Sequence, residues 1–479
     1  MGYILLGLLL ALLLFVAVLL VRAAMFKPKE ELVPAGDEIA LDKDKIVSDM
    51  QQLIRCKTIS YNDDALVDTV EFEKFKNLLP SLYPKVHEKC TLTYLGVNGL
   101  VYHWKGKQEG DPTVLMAHYD VVPVEAEQWE RDPFCGDVID GVLWGRGTLD
   151  TKGTLCGIFE AAEKLIAEGY QPAKDVYFAF SGQEEINGPT CPTIVNWFKE
   201  QGIHPAMVVD EGGAVVENVF PGVSGECALI GIAEKGLTNI ELKAKSRGGH
   251  ASTPPMHTVV GELAQAVVAV EKHPFKRQLT KPVKEMLDTL GRRSTFLYKI
   301  LFANMWCFEG LFDMVCKMSG GELNAMIRTT CAVTKMEGSK AFNVIPPKAS
   351  VGMNLRLIGK DTYDTAKAYI EKVIDNPNIE VSVYEGRNPS VDSDISCQEW
   401  GNLKQVIKDT WPEAIVSPYL MMACSDSWYY CDITDRIYKF SAMKLSKEER
   451  GMIHGNNERV PVDTLVKTVE FYTRLMRVL

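Results

Sequence analysis

Residues 113–120 read TVLMAHYD, a short uncharged run that ends in His118 and Asp120. Side chains two apart on an extended chain leave it on the same side. The imidazole and the carboxylate therefore share a face at the end of a buried strand. One can bind a metal ion while the other fixes it, since a ligating imidazole commonly gives its second N–H to a carboxylate. The same shape recurs twice downstream. The run VYFAF at 176–180 leads within a few residues to Glu184 and Glu185, and MVV at 207–209 leads directly to Asp210 and Glu211. Helical spacing fills the intervals at 154–167 and 193–201. Strands alternating with helices predict an α/β domain around a mostly parallel sheet, and ligands of such sheets gather at the carboxyl ends of the strands.

Outward from this centre, residues 42–55 carry Ile46, Met50, Leu53 and Ile54 at helical spacing behind Asp42, a candidate cap. They follow a polar linker at 27–41 and open the first part of the main domain, 42–235. From residue 236 the pattern changes to a strand at 237–244, a helix at 259–272, a stretch rich in Met and aromatic residues, two further strands, a helix at 363–374 and a strand at 379–384. That order predicts a second, α+β domain over 236–387, inserted in the first. The main domain resumes over 388–479 with a helix at 397–408, an apolar run at 437–440 and a final amphipathic helix at about 463–476.

The N-terminal segment, 1–26, contains an unbroken apolar run at 3–21, YILLGLLLALLLFVAVLLV. Its length is about that needed to cross a ~30 Å hydrocarbon layer. No basic residue precedes it, and it is longer than the roughly 7–15 residues of a signal peptide's apolar region. It therefore predicts an uncleaved single-pass membrane anchor. Arg22, Lys27 and Lys29 follow the span, which by the positive-inside rule favours a cytoplasmic body. Three charges are few for so large a domain, so they do not fix the side.

With 479 residues, 46% apolar and 24% charged, the chain has the composition of an ordinary globular protein of two or three domains. A net charge of -11 would repel a phosphate backbone, which argues against a nucleic-acid partner. The 12 Cys contain no Cys-x-x-Cys pair and read as scattered thiols, not as a disulfide framework.

Three further motifs bear on chemistry. In GRGTLDTKG, Gly145, Gly147 and Gly153 permit tight turns around Asp150 ahead of a helix, where a carboxylate can cap the helix or bridge two cations. In SGQEEING, adjacent side chains leave an extended chain in opposite directions, so one Glu can ligate a metal while the other accepts a proton from a metal-bound water. His454 lies in IHGNNE, a Gly-containing loop before the last helix. His118, Asp150, Glu185, Asp210 and His454 together form a mixed N/O donor set suited to zinc, manganese or cobalt.

In LMAHYDVVP, WGRGTLDTKG, VDEGG, NAMIRTT, FNVIPPKA and IHGNNERV the chain resembles the co-catalytic dizinc metallopeptidases that include glutamate carboxypeptidase, carboxypeptidase S and aminoacylase. The resemblance runs from about residue 42 to 479 and is strongest to the branch of carboxypeptidase S and the N-fatty-acyl-amino-acid synthase/hydrolases. It implies a zinc-exopeptidase-like α/β fold with an inserted lid or dimerisation domain, and two divalent metal ions, zinc above all. His118, Asp150 and Asp210 would hold one ion and Asp150, Glu185 and His454 the other, with Asp150 bridging. Asp120 would orient His118, and Glu184 would be the general base. His250 in GGHAS would stabilise the tetrahedral intermediate, often across a homodimer, while Asn343 and Arg356 would hold the substrate's backbone and carboxylate. One departure is Gly182-Gln183, where relatives commonly carry an acid before the two Glu.

The implied reaction is hydrolysis of an amide bond next to a C-terminal amino acid, in a peptide or an N-acyl amino acid, or the reverse condensation. A non-catalytic binding protein on the same fold is the contrasting expectation, and the presence of every implied ligand and of the base argues against it. The aromatic stretch at 296–318, with Phe296, Tyr298, Phe302, Trp306, Phe308 and Phe312, fits a buried lid core better than an acyl-binding wall or a surface that dips toward the membrane near the anchor, by its helical spacing.

Overall fold

The computed structural model describes residues 2–479. Its central sheet has eight strands in the order Thr91–Leu95, Gly99–Trp104, Val176–Ser181, Thr113–His118, Met207–Glu217, Ile437–Lys444, Glu226–Glu234 and Ile415–Met421. The four strands from Val176–Ser181 to Ile437–Lys444 are mutually parallel, and the antiparallel pairings lie toward the edges. Every residue of Thr113–His118 and Val176–Ser181 is buried, because helices cover both faces of a parallel sheet. Alternation sorts their side chains. Leu115 and Ala117 join the core under the helices Lys152–Ala167 and Val462–Arg477, whereas Val114 and Met116 pack on the opposite face with Ile194 and Phe198 of the helix Thr190–Glu200.

A second sheet, antiparallel throughout, runs in the order Thr330–Glu337, Lys348–Leu357, Gly236–Lys245, Ile379–Arg387. Buried and more exposed positions alternate along Lys348–Leu357, as they must when only one face is covered. The helices Val259–Lys272 and Tyr363–Ile374 supply that cover. The stretch rich in Met and aromatics is helical: Lys281–Gly291, Phe296–Phe302, Met305–Ser319 and Gly321–Ile327. Their core is shared with Phe220, Cys227 and Leu420, near the edge of the central sheet, and not with the second sheet. Residues 236–387 therefore hold two separate cores.

Four central-sheet strands are absent from the pattern read in the sequence: Thr91–Leu95, Gly99–Trp104, Glu226–Glu234 and Ile415–Met421. Strand Met207–Glu217 also runs on through the acidic pair where a strand end at Asp210 was expected. The N-terminal helix Gly2–Met25 is largely exposed, with only Leu19 and Ala23 buried. It is the one helix among the described residues long and apolar enough to cross a membrane. All twelve cysteines are unpaired.

Candidate active site

At the carboxyl ends of the central strands, His118 Nε2 lies 2.8 Å from Asp150 Oδ1 and 3.6 Å from Glu211 Oε1. On the other side of Asp150, His454 Nε2 is 3.0 Å from its Oδ2 and 2.9 Å from Glu185 Oε2. Asp150 thus stands between the two imidazoles and offers one oxygen to each. Donor atoms of His118, Asp150 and Glu185 fall within 4.8 Å of one another, as do those of His118, Glu184 and Glu211. These are two overlapping groups able to hold cations. The ring of His454 reaches its place from a left-handed backbone conformation, φ 59°, which is uncommon for a residue with a side chain.

Asp120 contacts more than His118. The His118 Nδ1 atom is 3.0 Å from the Asp120 main-chain carbonyl and 3.5 Å from its carboxylate. That carboxylate accepts the backbone N–H groups of Glu184 and Glu185, each at 3.1 Å, and the Ser60 hydroxyl at 2.7 Å. It sets the acidic pair against the imidazole. Glu458, unremarked in the sequence, does the equivalent for Asp150. Its buried carboxylate accepts N–H groups of Gly147 at 3.1 Å and Leu149 at 2.8 Å and pairs with Arg146 at 2.6 Å. Gly147 takes φ +90° here, and a Cβ would press on Val121 at 3.0 Å. The only hint in the sequence was its place in IHGNNERV.

The expected ligand Asp210 is followed by a second carboxylate that approaches His118. Asp210 accepts the Ser427 N–H on Oδ2 at 3.0 Å, while Glu211 Oε1 lies 3.6 Å from His118 Nε2. The cause is a bulge. Lys439 pairs with Asp210 but the next residue, Phe440, pairs with Gly213, which leaves Glu211 and Gly212 as extra residues. A bulge of this kind re-aims side chains beside active sites.

The other expected site residues, Arg356, His250 and Asn343, lie in two places. Arg356 donates to Cys424 Sγ at 3.2 Å, and Cys424 lines the cavity above the cluster. His250 and Asn343 do not reach it within one chain. Both are exposed, where the strand Gly249–His250 pairs with Val344–Ile345 and the Ala251 N–H donates to the Asn343 carbonyl at 3.0 Å.

Residues 114–478 match the Peptidase family M20/M25/M40. The chain is 32% identical over 98% of its length, and 92% of the relative's, to a probable carboxypeptidase S-like protein of Dictyostelium discoideum. It is 31% identical over 91% of its length, and 86% of the relative's, to the N-fatty-acyl-amino acid synthase/hydrolase PM20D1 of Xenopus tropicalis. The chain belongs to the M20 peptidase family. Among solved structures, an M20 metallo-carboxypeptidase from Sulfolobus solfataricus superposes with a TM-score of 0.67 at 16% identity, covering 90% of this chain and 98% of that one. It shares the fold. As an M20 member the protein is a hydrolase of peptide or N-acyl amide bonds, and the family binds a dinuclear metal centre.

The donors present fit such a centre. Burial pushes the Glu184 and Glu211 carboxyls well above the usual carboxylate range, with further upward pressure from the acids around them, among them Asp150. Burial also raises Glu185, and it lifts the nearby Asp426 to about 7. Burial acts in the same sense on Asp150, but hydrogen bonds from His118 and His454 outweigh it and hold the carboxyl low. Glu185 Oε1 is buried without a hydrogen-bond partner. A crowd of desolvated carboxylates with an unpartnered oxygen is stabilised by cations more than by protons.

The cluster closes one end of a cavity of about 740 Å3. Asp150, Glu184, Glu211 and His454 line that end, and Val216, Phe220, Leu229, Met286, Tyr298 and Tyr419 are among the residues lining the rest.

Proposed function

We propose that this protein hydrolyses N-acyl amino acids with apolar acyl chains, using two zinc ions. His118, Asp150 and Glu211 would hold one ion and Asp150, Glu185 and His454 the other, with Asp150 between them. The observation that carries the substrate class is the mainly apolar wall of the cavity ending on the carboxylate cluster. A polar peptide would leave its amides unpartnered along such a wall. Likeness to the N-fatty-acyl-amino acid synthase/hydrolase supports the same choice, while likeness to the carboxypeptidase S-like protein makes a dipeptide with apolar side chains the second reading.

Held there, two divalent ions would lower the pKa of a water from 15.7 toward roughly 7 and would polarise the scissile carbonyl. Glu184 takes the proton from the attacking water and returns it to the leaving nitrogen. Water oxygen adds to the acyl carbon, the C–N bond breaks, and a fatty acid and an amino acid are released. The Arg356 fork, beside Cys424 at the cavity wall, grips the free carboxylate of the amino acid half, a geometry suited to guanidinium. His250, with Asn343, comes from the lid of a second copy to meet the developing oxyanion. In this reading residues 236–387 are the lid and dimerisation domain, and the helix Gly2–Met25 anchors the enzyme in a membrane. Condensation runs the same steps backward when both products are abundant.

The reading is tested by metal content and by amino-acid release from N-acetyl, N-hexanoyl and N-palmitoyl amino acids and dipeptides, with and without chelator. Metal near two per chain and chelator-sensitive release that rises with acyl length are expected. Failure to take up metal, or release from dipeptides alone, would overturn it.

A further inference from the structure

The helix Met305–Ser319 is inside-out for a protein surrounded by water. Its charged stripe is tied to the body: Glu309 meets Arg277 at 3.0 Å, and Asp313 is shared by Lys317, at 3.1 Å, and Arg328. Its outward side carries Trp306, Leu311, Met314, Val315 and Met318, between 47% and 80% exposed. Leu297 on the preceding helix extends the same apolar surface at 75% exposure. A contiguous apolar surface of this kind marks an interaction site.

The occupant is indicated by what lies beside it. The N-terminal helix Gly2–Met25 packs along these helices. Trp306 stacks edge-on against Phe15 at 6.1 Å, Asn304 Nδ2 donates to the Leu19 carbonyl at 3.1 Å, and the Arg22 guanidinium donates to the Ala303 carbonyl at 2.9 Å. Phe15 lies about 15 Å along the axis from the end of that helix at 1.5 Å per residue, half the depth of a ~30 Å hydrocarbon layer. A span that crosses the bilayer carries Trp306 and its neighbours in with it. Arg292, which stacks on Phe26 at 4.3 Å and donates to the Lys27 carbonyl, stands where the span ends, at headgroup level.

A second apolar cavity, of about 240 Å3, lies under this surface. Leu311 and Val315 line its outer part, and Phe220, Met286, Tyr298 and Leu323 belong to it and to the cavity that ends on the carboxylates. The two cavities thus share walls from the outward face to Asp150 and Glu184.

We propose that the helices Phe296–Phe302 and Met305–Ser319 are sunk in the bilayer beside the N-terminal helix and pass acyl chains from the lipid phase, between Leu311 and Val315, to the carboxylate cluster. The surface is a lipid-binding one, and its cargo is a single-chain acyl amide. The identity of the cargo rests on the functional reading above; the immersion of the helices does not. Each methylene that enters raises kcat/KM about fourfold, the factor equivalent to about 0.8 kcal/mol of burial.

Two measurements on the full chain in phospholipid vesicles test the two halves. Lipids brominated at mid-chain quench the fluorescence of Trp306, and the quenched component disappears in Trp306→Phe. Equal quenching in both proteins overturns the immersion. Trp306→Cys chains that cross-link to each other without quenching in the parent also overturn it, and assign the face to a second copy. For the passage, Val315→Trp lowers the ratio of kcat/KM for N-palmitoyl over N-hexanoyl substrate at least tenfold. An unchanged ratio overturns the route. Absence of release from any amide by metal-loaded parent overturns the functional reading instead, and leaves the quenching result to decide the membrane surface.

Discussion

At the charged end of the cavity, His118, Asp150, the Glu184–Glu185 pair, Glu211 and His454 arrive from several strand ends and loops, and hydrogen bonds fix His118, Asp150, Glu184 and Glu185. At the apolar end the wall is made by helices that contribute surface and few polar atoms. The first end depends on single atoms and the second on summed area. Loss of one carboxylate at the charged end therefore costs orders of magnitude, whereas loss of one methyl-bearing side chain at the apolar end costs a small factor.

The largest expected effect is that of Glu184→Ala, which should lower kcat about 10³- to 10⁴-fold while leaving metal content unchanged. Metal analysis of the variant checks the assignment, since release of metal would mean that Glu184 and Glu185 have each other's roles. Glu211→Ala should follow, with loss of one equivalent of metal and of about 100-fold in activity. Asp210→Ala, one residue away, should keep both metals and lose only the hydrogen bond to Ser427. If the two variants behave alike, the bulge does not decide which carboxylate ligates.

Much of the charged end was legible because its residues follow apolar runs. Strands buried on both faces are continuous apolar stretches, so TVLMAH and VYFAFS announce themselves and lead to His118 and to the Glu184–Glu185 pair. Asp210 and Glu211 were not separable this way. A one-residue change of register reverses which face a side chain takes, and the bulge is a property of the pairing with Lys439 and Phe440, not of MVVDEGG alone. Strand Ile415–Met421 escaped because Pro418 interrupts it; the strand lies at the sheet edge, where a proline is tolerated. The stretch 296–318 reads as buried core because its apolar residues have core-like spacing. Which face of Met305–Ser319 is outward follows from where Arg277 and Arg328 stand, and no local pattern contains that.

Glu458→Gln is the next test of the charged end. The change keeps the shape but leaves Arg146 buried without its counter-charge, a loss of about 3 kcal/mol or more. It should appear as a lower unfolding midpoint and as reduced activity that added metal does not restore. Full activity at saturating metal would show that the loop from Gly145 to Asp150 holds its form without this pair. Arg356→Lys should raise KM about tenfold for substrates with a free carboxylate, since a point charge replaces a bidentate fork. It should leave the corresponding amino-acid amides unaffected, and equal losses on both would remove Arg356 from the carboxylate site.

The smallest effect belongs to the apolar end. Leu323→Ala removes part of a wall common to both cavities and touches none of the charged residues. Losing the contact of a few methyl and methylene groups lowers kcat/KM by a small factor, about fourfold for each chain methylene left without a neighbour. The loss should be confined to long chains. On N-palmitoyl substrates the variant should fall several-fold behind the parent, on N-hexanoyl substrates less, and on N-acetyl substrates not at all. A uniform loss across the series would mean that Leu323 supports the carboxylate cluster itself, and that the two ends of the cavity are not separable.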